Sequence, residues 1–289
     1  MAAITANGIT IEYEIEGAGE PLLLVMGLGE QLTTWPDELV AMFVAAGFRV
    51  IRFDNRDVGL SSAIDWTPPS PVRAVASNLV GRTPDAAYLL DDMANDAAAL
   101  LDALGIGSAH VVGVSMGGMI AQALSIGHPG RVRTLTSIMS NTGDRTHGKP
   151  NVRLMAKLAR IGAPTRETAV ERSIEVTALI SGPHYDAEAW RQLVAQNVER
   201  SFRPESLERQ IAAIMASPDR TEALGRVTAP TLVVHGLLDP LVRPSGGLAT
   251  ARAVPDSRLV MYPDMAHDLP RPRWGELVDE IRRHADRVA

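Results

Sequence analysis

The chain has 289 residues, 46% of them hydrophobic and 21% charged, a globular balance with room for one large α/β domain carrying an insertion. A net charge of −6, with the positive charge almost all on arginine, excludes nucleic acid as a partner, since that requires a clustered basic surface. The absence of cysteine excludes disulfides, thiolate metal sites and cysteine nucleophiles.

Met1 to Tyr13 carries neither a basic n-region nor an apolar h-region, so no signal peptide is expected. Ile4 to Ile15 alternates around Asn7-Gly8, a two-residue hairpin signal. Pro21 opens the apolar run Leu22–Met26, suited to a strand buried on both faces and ending at Gly27-Leu28-Gly29. The run Leu22–Leu28 is too short to span a bilayer, so no membrane span is expected and the expected location is cytoplasmic. A helix is predicted over Trp35–Ala46 and a strand over Phe48–Asp54, followed by an irregular stretch, Asn55–Arg82, containing Pro68, Pro69 and Pro71 and expected to run over the top of the sheet. Asp91 or Asp92 is expected to cap a helix with Met93, Ala97, Leu100, Leu101 and Leu104 on one face, ending at Gly105.

The run Val111–Val114 reads as a strand, Met116–His128 as a helix and Val132–Met139 as the next strand. Strand and helix alternate with short turns, which implies a mostly parallel sheet covered on both faces. From Asn141 to about Arg226 the rhythm breaks and only amphipathic helical patterns remain. Trp190, Leu193, Val194 and Val198 form one stripe behind a cap at Asp186, and Leu207, Ile211, Ile214 and Met215 another after Pro204. Both stripes are expected to be helix core. The domain division is therefore a core of residues 1–140 and 227–289, with residues 141–226 as a helical cap over the sheet's C-terminal edge. Strands resume at Pro230–Gly236 and Arg258–Tyr262, and a last helix runs from Trp274 to about Val288.

The chemistry is expected where Gly113-Val114-Ser115-Met116-Gly117 joins strand to helix. This is the layout of a nucleophile elbow: one sharp, strained turn lifts the serine hydroxyl above the sheet edge, and a side chain at either glycine would collide with a neighbouring element. A serine hydroxyl needs a base, and the base an orienting acid, in the chain order Ser, Asp, His. Asp239 follows a strand in Gly236-Leu237-Leu238-Asp239-Pro240, and His267 follows the next in Asp264-Met265-Ala266-His267-Asp268. Asp264 and Asp268 are rival acids, but so close to His267 in sequence that reaching its Nδ1 is geometrically harder. Donors for an oxyanion are expected at the Met116 N–H, at the start of the elbow helix, and at the Leu28 N–H between flanking glycines. There is no complete Gly-x-x-x-x-Gly-Lys-Ser/Thr phosphate loop (Gly143–Lys149 has the spacing but Pro150 follows), no His-x-x-x-His pair and no carboxylate cluster with ligand spacing, so no cofactor and no metal are expected.

These residues resemble the α/β-hydrolase superfamily over nearly the whole chain. Leu22–Gly29 followed by Trp35-Pro36, then Phe53-Asp54-Asn55-Arg56-Asp57 with Gly59-Leu60-Ser61, and His267-Asp268-Leu269-Pro270 are similar to the aclacinomycin methylesterase group. That resemblance implies an α/β-hydrolase fold with a helical cap and a cofactor-free hydrolase. It matches Ser115, Asp239 and His267 to the family triad and Leu28 and Met116 to its oxyanion hole. Met26-Gly27 stands where the superfamily commonly has His-Gly, and Asp54–Ser61 matches a shared motif given a structural role. The expected function is carboxylic ester hydrolysis by a monomer or homodimer acting on a hydrophobic small molecule. Met26, Met119, Met139, Met265 and Leu269 are expected to line the substrate site. The same triad also serves C–C bond, lactone or amide hydrolysis or perhydrolysis, and a non-catalytic ligand receptor is a third reading.

Overall fold

Asn7 and Gly8 both adopt positive φ, 50° and 75°, so β1 (Ala2–Ala6) and β2 (Ile9–Glu16) close into the two-residue antiparallel hairpin that Asn-Gly signals. The computed structural model describes residues 1–67 and 84–288. The hairpin edges an eight-stranded sheet with β3 (Glu20–Val25), β4 (Phe48–Phe53), β5 (Ala109–Val114), β6 (Val132–Ile138), β7 (Thr231–Gly236) and β8 (Ser257–Tyr262). Its spatial order is β1-β2-β4-β3-β5-β6-β7-β8, antiparallel at the hairpin end and parallel from β4 to β8.

The central strands are buried on both faces, as their unbroken apolar runs require. Leu23, Val25, Val111 and Leu135 face α2 (Leu90–Ala103) and α3 (Met116–Gly127), whereas Leu22, Leu24, Val112 and Leu232 face α1 (Asp37–Ala45) and α10 (Trp274–Ala285). Two helix starts differ from expectation. Pro36 forces Trp35 into extended backbone (φ −72°, ψ 109°), so α1 begins at Asp37 and not at Trp35. In α2, Asp92 lies within the first turn, not at the cap; its Oδ2 reaches back to accept from the Leu89 N–H at 2.7 Å. Pro68, Pro69 and Pro71 lie outside the described residues.

Between β6 and β7 the chain is helical: α4 (Val152–Ile161), α5 (Ala169–Ile180), α6 (Ala187–Arg200), α7 (Glu205–Ala216) and the single turn α8 (Thr221–Leu224). Asp186 caps α6 as expected, accepting from the Glu188 and Ala189 N–H groups. Of the α6 stripe only Val194 is buried; Trp190, Leu193 and Val198 are half-buried. The α7 stripe contradicts its reading as core at three of its four positions: Leu207, Ile211 and Met215 are each 39% exposed, and only Ile214 is half-buried against the apolar cluster on the α2–α3 face. The helix turns in Ser206, Arg209, Gln210, Ala213 and Ala216 instead, because it faces the carbonyls and carboxylates of the Asp54–Ser61 loop, which select its polar side. The sheet ends with α9 (Ser245–Ala253) between β7 and β8. No helix among the described residues is long and apolar enough to cross a membrane.

Candidate active site

Ser115 sits between β5 and α3 with φ 56° and ψ −119°, a conformation that a residue with a side chain rarely holds. The surroundings enforce it. A Cβ at Gly113 would lie 2.1 Å from the Gly117 carbonyl oxygen, and one at Gly117 would lie 2.1 Å from that of Val25. The Ser115 N–H donates to the Ile138 carbonyl of β6 at 2.9 Å, and the Ser140 hydroxyl donates to the Ser115 carbonyl at 2.8 Å.

Because β5, β7 and β8 run parallel, the loops after them open on one edge of the sheet. There His267 Nε2 lies 2.9 Å from Ser115 Oγ, and His267 Nδ1 lies 2.7 Å from Asp239 Oδ2. The carboxylate acceptor fixes the tautomer with the proton on Nδ1, leaving Nε2 free to accept from the serine hydroxyl. Asp239 Oδ1 accepts from the Leu241 and Val242 N–H groups at 2.9 and 2.8 Å, which turns Oδ2 toward the imidazole. Burial alone would push the pKa of this carboxyl up; the neighbouring His267 and His235 outweigh it and hold Asp239 below its ordinary value. His235 is fully buried beside it, its Nε2–H donating to the Val242 carbonyl at 2.7 Å.

Neither rival acid reaches His267 Nδ1. Asp264 pairs with Arg273 and His184, and the two oxygens of Asp268 accept from the Ala266 and Gly182 N–H groups. The Gly27–Gly29 turn runs beside the nucleophile, since a Cβ at Gly27 would lie 3.9 Å from Ser115 Oγ. Among the described residues, neither the Leu28 nor the Met116 N–H meets a protein acceptor. Met26, Met119, Met139 and Met265 are all buried; Met119 belongs to the apolar cluster on the α2–α3 face of the sheet, and the other three to that on the α1–α10 face, with half-buried Leu269 against them. No group of three or more potential metal ligands occurs among the described residues.

The helical segment grips this edge at two places. On one side the His267 N–H donates to the Ile180 carbonyl at the end of α5, at 2.9 Å, and His184 pairs with Asp264. On the other, Arg200 pairs with fully buried Asp54 at 2.8 Å and Arg209 with Asp57 at 3.0 Å. In neither pair does the contacting N–H point at the carboxylate, so the attraction is Coulombic and not hydrogen-bonded. The Asp54–Ser61 stretch is therefore a docking face as well as a brace for its own strand. Sequence reasoning missed its partners Arg200, Arg209 and Gln210, because single polar residues on a helix carry no periodic signal of what they will meet.

The α/β-hydrolase fold family model matches residues 20–156. The rhodomycin D methylesterase DnrP of Streptomyces peucetius is 32% identical, with 92% of each chain covered, and DauP of Streptomyces sp. (strain C5) is 31% identical over the same shares. Among solved structures, a meta-cleavage product hydrolase from Pseudomonas fluorescens IP01 superposes with TM-score 0.76 at 19% identity, covering 100% of this chain and 98% of that one. A thermophilic esterase from Thermogutta terrifontis superposes with TM-score 0.72 at 24% identity, covering 99% and 98%. With the parallel sheet, the serine turn at the end of its central strand and relatives that span almost the entire chain, this protein belongs to the α/β-hydrolase fold family.

Proposed function

We propose that the protein hydrolyses carboxylic esters through an acyl-enzyme on Ser115. His267 takes the Ser115 proton at Nε2 as the hydroxyl attacks the acyl carbon, and the imidazolium is held by Asp239. The Leu28 and Met116 N–H groups receive the developing oxyanion. His267 then protonates the departing alcohol, activates water against the acyl-enzyme, and returns its proton to Ser115 as the acid leaves. The observation that carries this reading is the unbroken line from Asp239 Oδ2 through His267 to Ser115 Oγ, at 2.7 and 2.9 Å, on a strained turn.

Residues 141–226 serve as the cap of a core formed by residues 1–140 and 227–289. Met26, Met139, Met265 and Leu269 follow strands that end at this edge and Met119 lies in the first turns of α3, so they form the apolar wall against the acyl group. The methylesterase relatives favour a hydrophobic small-molecule methyl ester as substrate. Purified protein is expected to release p-nitrophenol from short-chain p-nitrophenyl esters, and Ser115→Ala to lower kcat by about 10⁴-fold or more. A Ser115→Ala protein with the wild-type rate would overturn the reading. Methyl esters, a lactone and a dienoic β-diketone offered side by side separate ester cleavage from the other bonds such a triad breaks.

A further inference from the structure

Helix α7 turns Leu207, Ile211 and Met215 outward and Ser206, Arg209 and Gln210 inward, an arrangement that hydrophobic burial does not favour and specific polar contacts must maintain. At the centre of that inward face Gln210 is completely buried. Its Oε1 accepts from the Gly29 N–H at 2.8 Å, and its Nε2 donates to the Arg56 carbonyl at 3.1 Å. The other flank of the same turn is clasped by Asn55, whose Nδ2 donates to the Met26 carbonyl at 3.0 Å. The Gly27–Leu28 peptide is thus bracketed by two carboxamides, one that of Asn55 and the other, Gln210, tied to the carbonyl of the next residue, Arg56. Within the bracket the turn has little of its own to hold it: the Glu30 N–H reaches the Gly27 carbonyl only at 3.4 Å, and Gly29 needs a positive φ of 72°.

We propose that Gln210 is a positioning residue, by which the helical insertion fixes the Gly27–Gly29 turn so that the Leu28 N–H points at the oxyanion. This inference rests on the ester-hydrolase reading and adds to it that donor geometry depends on the seating of α7. Both hydrogen-bonding functions of the carboxamide are used, and its burial leaves no water to replace either one. Losing the Gly29 contact frees the turn by the fraction of an ångström to which oxyanion donors are sensitive.

The test compares Gln210→Met, which keeps size and burial but cannot accept from Gly29, with Ser206→Ala. The latter removes a bond from the same helix to the Asp57 carbonyl (2.5 Å in the native protein) and none to the turn. Gln210→Met is expected to lower kcat about 10- to 100-fold with KM within threefold, and to weaken a trifluoromethyl ketone transition-state mimic by the same factor. Ser206→Ala is expected to lower the melting temperature while leaving kcat within twofold. A folded Gln210→Met protein with wild-type kcat, or one losing mimic affinity no more than Ser206→Ala does, would overturn the inference. Hydrogen exchange in the wild type tests it without a variant: the Gly29 amide is expected to be protected, and exchange at the rate of a free amide would equally overturn it. Labelling of the wild type by a serine-directed phosphonate keeps the two claims apart. An unlabelled wild type sinks the hydrolase reading, whereas a labelled wild type with an unaffected Gln210→Met sinks only this one.

Discussion

The parallel sheet and the helices inserted between β6 and β7 are held by different physics. In the sheet, Leu22 to Val25 and Val111 to Val114 fill both faces with aliphatic side chains whose attraction is non-directional and scales with buried area. The insertion is docked by directional polar contacts. Gln31 Nε2 donates to the Asn197 carbonyl at 2.7 Å, Asn197 Nδ2 to the Thr34 hydroxyl at 3.0 Å, and the Ser201 hydroxyl to the Gly59 carbonyl at 2.7 Å, beside the Arg200–Asp54 and Arg209–Asp57 pairs. The lesson is one of tolerance. Apolar cores accept substitutions that preserve volume, whereas a polar dock fixes one seating and leaves a buried group stranded when a partner goes.

Substitutions at four positions sharpen or break that contrast. Asp54→Ala strands the Arg200 guanidinium and removes the acceptor of the Leu32 and Leu60 N–H groups, so urea unfolding is expected to show a loss of about 3–5 kcal/mol. A loss below about 1 kcal/mol would mean that the dock is not what seats the insertion. Leu135→Ala opens a cavity in the fully buried α2–α3 face and is expected to cost about 2–4 kcal/mol, with Leu135→Met costing under about 1.5 kcal/mol. The Asp264 carboxyl, paired with Arg273 first and His184 second, is held at about 2, below its ordinary 3.8. A depressed carboxyl stabilises the fold above its unfolded value and loses that stabilisation as pH falls through its folded value. The melting temperature of the wild type is therefore expected to exceed that of Asp264→Asn at pH 6 and to converge on it between about pH 4 and about 2. Ile211→Ser, on the outward stripe of α7, is expected to stay within about 0.5 kcal/mol of wild type; a core-sized loss would restore the reading of that stripe as buried.

Much of the fold was legible because its signals are local. Asn7-Gly8 dictates its own turn, the run Leu22–Met26 can only be a strand buried on both faces, and Gly113 and Gly117 bracket Ser115 where any side chain would strike backbone. The pairing of Ser115, His267 and Asp239 was also legible, since parallel strands bring their C-terminal loops to one edge and chain order selects among the acids. The insertion was less so. Leu207, Ile211 and Met215 carry a helical period that looks like core, but period reports only that one face differs from the other. Which face turns inward was decided by the Asp57 carboxylate and the Arg56 and Asp57 carbonyls, more than 140 residues earlier. The starts of α1 and α2 lie two or three residues from expectation, the reach of local backbone restriction at Pro36 and of the Asp92 carboxylate over the first turn.

The central claim is that the Ser115 hydroxyl, deprotonated by His267 as it attacks while Asp239 orients the imidazole, is the nucleophile. Intact-mass and peptide mass spectrometry after exposure to a fluorophosphonate tests it without knowledge of the substrate. The account predicts a single adduct on Ser115, lost in Ser115→Ala and slowed severely in His267→Ala. A native, folded protein that takes up no adduct, or carries it on another residue, would contradict it.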